Sequence, residues 1–241
     1  MKYRKDKDLE FLKDCSNEDL ELLVRYLTKD KDGKERITES LTEEKKYKEH
    51  HPDHKKYWEL IAAELQRSGG NTFGNIFRSG EGVFYREILI DVCKKLKVNF
   101  NKNSETEIIE ANLLMKILLD SVENMDTKDL ERLISDLKVK PKNYNKQVMV
   151  LAIQSAIKMG GFKSYQIAVM VANAVAKKFA GKGLVLAANA GIAKSMGVFA
   201  GPVGWLIIGA WAAIDFAGPD YKVTIPSVIQ VAYMRKAIKE E

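Results

Sequence analysis

His50, His51 and His54 stand within five positions, and imidazoles four apart on a helix can supply two ligands to a zinc ion. Pro52 falls inside that pair and places a helix start there, no HExxH pattern is present and no cysteine lies nearby, so the cluster reads as a polar helix entrance. Asp30, Asp32, Gly33 and Glu39 fall at positions three, five, six and twelve of a calcium loop. Thr28 stands where the first carboxylate is required and lysines crowd the segment, so it reads as a turn between helices. The run Gly69-Gly70-Asn71-Thr72-Phe73-Gly74-Asn75 could cradle phosphate through backbone amides, with Arg78 and Arg86 as counter-charges. It lacks both the GxxxxGKS/T spacing and the preceding strand, and Gly181-Lys182-Gly183 fails at its last position, which argues against an NTPase. Glu64 lies in the apolar frame of Ile61, Leu65 and Ser68, and with Glu87 and Asp91 it suggests acid/base or di-metal chemistry. A di-iron bundle needs Glu-x-x-His on two helices, and the sequence has none. The residues therefore point to a buried Glu64 paired with Arg78 or Arg86. Glu64, Asn71, Asn75, Arg78, Arg86 and Glu87 remain as a polar loop and network, with no catalytic residue, metal or cofactor assigned, and the chain is read as a non-enzyme.

Helices must position these groups. Ser16-Asn17-Glu18-Asp19 offers a capping box, and Leu20, Leu23, Val24 and Leu27 follow at helical spacing to an end near Thr28. A charged helix is expected from Thr38 or Thr42 to about His50, and another from Pro52 through Trp58, Ile61 and Leu65 to a left-handed stop at Gly69-Gly70. Residues Ser68 to Gly82 read as a structured loop. Val83 to Lys97 carries Phe84, Ile88, Val92 and Leu96 on one stripe, with Cys93 as a small core residue beside it. Ser104-Glu105-Thr106-Glu107 is a second capping signature, opening a helix to Asp120. A further helix spans Asp126 to Lys138, with Leu130, Leu133, Ile134 and Leu137 inward, before Pro141. Beyond it, helices are expected at Tyr144 to Met159, Ser164 to Ala180, Leu184 to Met196 and Pro202 to Phe216. Tyr221-Lys222-Val223-Thr224-Ile225 favours a strand that could pair with Leu96 to Phe100 in a short two-stranded ladder, and Pro226 would then open the last helix. The fold class is all-α: a multi-helix bundle with an apolar Ala/Gly-rich hairpin near the C-terminus, divided into residues 1–140 and 141–241.

Charge divides along the same line. The formal charge is +6, and residues 146–241 hold eleven Lys or Arg against four acids. No acid falls between Asp136 and Asp215, where ten lysines sit among Ala, Val, Ile and Gly. Soluble helices ordinarily mix both signs, whereas sparse lysines on such a body suit an anionic surface. Ser195 to Ile214 is an uncharged run of twenty residues inside a hairpin at 183–216. Seven strongly apolar residues there contribute only roughly −3 to −4 kcal/mol toward insertion. A helix from Pro202 to Ile214 is about 20 Å long against about 30 Å of hydrocarbon, so a permanent simple span does not fit. The expectation is conditional docking on an anionic membrane surface through Lys177, Lys178, Lys182, Lys194, Trp205 and Trp211, from the cytoplasm and peripheral to the inner membrane. The alternative is a soluble assembly chaperone or interaction protein with the hairpin as buried core and a protein client as partner.

The rest of the composition is that of an ordinary globular chain of 241 residues, 46% hydrophobic and 30% charged. Two cysteines are too few for a disulfide scaffold and fit a reducing compartment. The charged N-terminus lacks the apolar run of a secretory signal, which places the chain in the cytosol. Nucleic-acid binding suits the basic pI of 9.0. The basic part, however, carries one arginine, Arg235, and no interleaved aromatics, so no nucleic-acid partner is assigned.

The run from Tyr3 to Leu12 followed by Ser16-Asn17-Glu18-Asp19-Leu20 resembles the opening of the bacterial YaaW family. Glu64-Leu65-Gln66-Arg67-Ser68-Gly69-Gly70-Asn71, Tyr85-Arg86-Glu87-Ile88-Leu89, Gly201-Pro202-Val203-Gly204 and Tyr221 to Pro226 extend the similarity over nearly the whole length. Some members carry the label ubiquinol-cytochrome c chaperone-like, so the resemblance implies an assembly factor. It brings no catalytic residues.

Overall fold

The computed structural model describes residues 1–30, 34–36, 39–72, 82–136, 138–159, 171–172 and 221–240, with backbone alone for 70–72, 136 and 240. The first α-helix, α1 (Asn17–Thr28), starts where the sequence places it. The Ser16 hydroxyl accepts from the Asp19 amide at 3.1 Å and donates to the Asp19 carboxylate at 2.9 Å. Its inward stripe of Leu20, Leu23, Val24 and Leu27 is buried. A 3-10 turn at Leu41–Glu43 and the short α2 (Lys45–His50) occupy the place of the expected charged helix.

Another 3-10 turn, His54–Tyr57, leads into α3 (Trp58–Thr72). Here the sequence reading needs correction, because α3 runs through Gly69-Gly70 instead of stopping there. A Cβ on Gly69 would lie 2.4 Å from Ile88 Cγ1 and 2.6 Å from Ile88 Cδ1, so this glycine serves close approach between α3 and α4 (Tyr85–Lys95), not a left-handed cap.

The ladder between Leu96–Phe100 and Tyr221–Ile225 is also overturned. Lys97 takes a left-handed φ of 53° and the Val98 amide donates back to the Cys93 carbonyl at 2.8 Å, so this stretch caps α4. Its supposed partner is helical. α8 (Tyr221–Glu240) contains the whole pentad, and Pro226 sits inside the helix rather than at its start. Val223, Thr224 and Ile225 are buried together with Val228, Ile229 and Ala232, and that packing overrides a strand propensity that depends on context. Among the described residues there is no strand, only an isolated bridge between Lys29 and Glu35.

Three helices complete the described bundle: α5 (Thr106–Asn124), α6 (Thr127–Asp136) and α7 (Lys146–Met159). The expected Ser104 cap does not form. Glu105 holds the cap position without a side-chain bond, and the Ser104 carbonyl instead accepts from Arg86 at 2.5 Å. Asp126 caps α6 by accepting from the Asp129 amide at 2.8 Å. Lys138, at φ 53°, closes it the way Lys97 closes α4, with the Val139 amide donating to the Ile134 carbonyl at 3.0 Å. α8 lies against α1, α3, α4 and α5, while α7 lies against α5 and α6. One continuous core runs from Leu9 to Met234.

Burial of α8 bears on the membrane expectation. No helix among the described residues is long and apolar enough to cross a membrane, and α8 is a core helix rather than part of a lipid-facing body. The membrane-docking reading is corrected accordingly, and the fold is an all-α bundle with no ladder and no membrane-type helix among the described residues. The hairpin at 183–216, the helices expected from Leu184 and from Pro202, and Lys177, Lys178, Lys182, Lys194, Trp205 and Trp211 lie outside the described residues.

Candidate functional site

One buried polar cluster joins four parts of the chain. Glu110 projects from the buried face of α5, where Thr106, Leu113, Leu114, Ile117 and Ser121 continue the same stripe. Arg235 reaches it from α8, with Nε 2.9 Å from Oε2 and 3.2 Å from Oε1. Arg235 Nη2 donates to the Asp8 carbonyl at 2.5 Å, and the guanidinium lies 4.3 Å from the centre of the Phe11 ring. From α4, the Tyr85 hydroxyl donates to Glu110 Oε1 at 2.7 Å. Burial pushes the Glu110 carboxyl above its ordinary range, while Arg235 and the phenol pull the other way. Burial alone would lower the Arg235 guanidinium, but the Glu110 carboxylate holds it above its ordinary value. Donors from α4 and α8 thus satisfy the buried oxygens of Glu110.

The N-terminal segment is tied into the same cluster. The Gln66 side chain, fully buried on α3, accepts from the Arg4 amide at 3.1 Å and donates to the Arg4 carbonyl at 2.8 Å. Asp6 is 3% exposed, and its carboxylate accepts from the Tyr85 amide at 2.7 Å, at the N-terminus of α4. That helix has no capping side chain of its own at Phe84, so a distant carboxylate supplies the cap and meets the positive end of the helix dipole. The Thr106 hydroxyl donates to Asp8 at 3.0 Å and accepts from Arg86 at 2.9 Å; Arg86 also donates to the carbonyls of Lys102 and Ser104. Chemically, this arrangement clamps. Its donors and acceptors face one another across α4, α5, α8 and an N-terminal strap, residues 3–16.

The residues singled out from sequence separate in space. Glu64 is buried, but its partner is Arg67 on the same helix, at 2.6 Å and 3.2 Å, with the Ser40 amide donating to it at 3.3 Å. This corrects the expected pairing, since Arg86 binds the α5 entrance and Arg78 lies outside the described residues. Burial raises the Glu64 carboxyl above its ordinary value, partly offset by Arg67. Glu87 is half-buried on α4; Asn75 lies outside the described residues, and Asn71 is described by backbone alone. His54 is buried between the Tyr57 hydroxyl at 2.5 Å and the Glu21 carboxylate at 2.6 Å, while His51 stacks on Tyr47. Among the described residues, no group of three or more His, Cys, Asp or Glu could hold a metal ion. At the supposed calcium loop, Asp30 accepts from the Lys34 amide at 2.9 Å and Lys29 pairs with Glu35 at 3.1 Å, while residues 31–33 lie outside the described residues.

Sequence reasoning missed Glu110, Arg235, Tyr85, Asp6 and Asp8. Two signals pointed to the central pair: an acid on an otherwise apolar helix stripe, and one arginine in a region whose other cations are lysines. Arginine is the residue suited to a buried, multiply hydrogen-bonded carboxylate.

The family model described as a domain of unknown function (DUF3944) matches residues 3–37, which span the N-terminal strap and α1. A UPF0174 protein of Helicobacter pylori J99 is 51% identical over 236 residues, covering 98% of this chain and 93% of the relative. A second UPF0174 protein of that strain is 41% identical over 210 residues, covering 85% of this chain and all of the relative. The UPF0174 protein YaaW of Escherichia coli K12 is 33% identical over 241 residues, covering 98% of this chain and 96% of the relative. No solved structure matches the chain.

Proposed function

The chain belongs to the UPF0174 family, and from that premise we propose that it is a non-enzymatic interaction protein that assists assembly of a protein client. The observation that carries this reading is the closure of the buried ionisable network. Glu110, Arg235, Tyr85, Asp6, Asp8, Thr106 and Arg86 bind one another, and Glu64 binds Arg67. A catalytic constellation needs at least one activated group turned toward a substrate position. Among the described residues, the buried carboxyls of Glu64 and Glu110 are taken up by the protein's own donors, which suits a rigid body that works through its surface. Two buried free thiols suit a reducing cytoplasm.

The test is co-purification at native expression level together with deletion of the gene. The reading predicts a stoichiometric protein partner on the tagged chain and incomplete maturation of that partner's complex in the deletion strain. Recovery of the chain alone, with every complex maturing normally without it, overturns the reading.

A further inference from the structure

α7 turns Met149, Ile153 and Ile157 into the bundle against α5 and α6. Its opposite face carries Leu151, Ser155 and Met159 at i, i+4 and i+8, and Tyr144 precedes the helix. Tyr144 is 63% exposed, Leu151 64% and Met159 83%. Of the five large hydrophobic residues exposed among the described residues, these three lie within sixteen positions of one another. Such side chains scattered singly need no explanation, but a row along one helix face does.

The charge carried by this segment has one sign. Lys138, Lys140, Lys142, Lys146 and Lys158 are exposed, and residues 137–159 contain no Asp or Glu. At the edge of this face, Glu123 of α5 accepts from Gln154 at 2.9 Å. A helix meant only for water ordinarily alternates charge at i, i+4, and this one presents apolar anchors in a field of lysines. Met159 adds an unbranched, adaptable contact of the kind found on surfaces that accept more than one shape.

We propose that the outward face of α7 docks an acidic amphipathic segment of a partner protein. Apolar side chains of that segment would cover Tyr144, Leu151 and Met159, and its carboxylates would meet Lys142, which precedes the helix, and Lys158, which borders Leu151 on the same face. The charge complementarity selects the occupant: a second copy of this face would bring lysine against lysine, whereas an acidic helix brings attraction and apolar cover together. This inference rests on the interaction-protein reading and names the place and chemistry of the contact.

The probe is a fluorescein-labelled sixteen-residue helical peptide with Leu at i, i+3, i+4 and i+7 and Glu elsewhere, read by anisotropy on the full chain. A twin with Lys for Glu and vesicles of phosphatidylglycerol serve as rival ligands. The acidic peptide is expected to bind, to weaken as salt rises, and to lose at least tenfold in affinity with Leu151→Glu/Met159→Glu or with Lys142→Glu/Lys158→Glu. These positions are exposed, so the variants keep the fold, and their circular dichroism is expected to match the parent. Absence of binding, equal binding of the lysine twin, binding to vesicles alone, or affinity unchanged in both variants overturns the proposal. If the client still co-purifies with Leu151→Glu/Met159→Glu, the docking face is wrong while the interaction reading stands. If no client is found on the parent chain, the reading itself falls.

Discussion

Replacing Arg235 by methionine isolates the buried ion pair, because methionine keeps most of the aliphatic volume and removes the charge. The change deletes both Nε contacts to Glu110, the 2.5 Å bond to the Asp8 carbonyl and the guanidinium above Phe11. What remains is a fully buried carboxylate with the Tyr85 hydroxyl as its donor. Breaking a buried pair in this way costs about 3–5 kcal/mol. With a urea m-value of about 3 kcal/mol/M, the unfolding midpoint falls by roughly 1–1.7 M. The variant's pH dependence also becomes steeper than the parent's, in which burial already raises Glu110 against the pull of Arg235. Without its cation, Glu110 binds a proton in the native state at a pH where the unfolded chain has lost it. The native state then holds more protons than the unfolded one, so stability falls as pH rises above the ordinary carboxylate range and recovers as pH is lowered. The deficit against the parent is expected to be smaller at pH 5 than at pH 8. Adding Glu110→Leu to Arg235→Met removes the stranded carboxyl, and this double variant is expected to regain most of the loss. A midpoint shift under about 0.3 M, or the same deficit at both pH values, refutes the reading that Arg235 compensates a buried Glu110.

Gly82→Ala would place a Cβ 2.6 Å from Gln66 Cβ and 2.8 Å from a backbone carbon, so a loss of about 2–3 kcal/mol in thermal unfolding is expected. Gly69→Ala meets the end of the Ile88 side chain instead and is expected to cost less, because a side chain shifts more readily than backbone. Ser16→Ala removes the α1 cap and is expected to lower stability by about 1 kcal/mol in urea titration. The His54 hydrogen bond holds Glu21, and the Lys239 hydrogen bond holds Glu107, below the ordinary carboxylate range. Their contribution is present at neutral pH and disappears as pH falls through that range, and Glu21→Gln is expected to flatten the acid limb of midpoint against pH. Burial pushes the Cys15 and Cys93 thiols up to about 12, so neither is expected to react with iodoacetamide at pH 7.5 until the chain is unfolded.

What was legible in the sequence was local. α1 could be read because its cap, its stripe and its end all lie within thirteen residues, and each agrees with the others. Gly69 was misread because a glycine needed for close approach and one needed for left-handed backbone look alike until the facing Ile88 is known. The Tyr221–Ile225 pentad failed for a similar reason: β-branched residues pack as well in a buried helix as in a strand, and α8 is covered by α1, α3, α4 and α5. The Glu110–Arg235 pair spans 125 positions, and periodicity cannot supply such a partner. One clue was available for the strap, since α4 begins after Phe84 with no capping side chain of its own, which requires an acceptor from elsewhere.

The central claim, that the chain works by holding a protein client, is tested most directly by a photo-crosslinking residue placed in living cells at Leu151 or Met159, with exposed Lys48 as the control position. The account predicts one dominant adduct from both α7 positions and none from position 48. Mass spectrometry is expected to place the captured residue within an acidic, amphipathic segment of a single partner protein. Labelling of phospholipid, or no adduct beyond that at position 48, would contradict it.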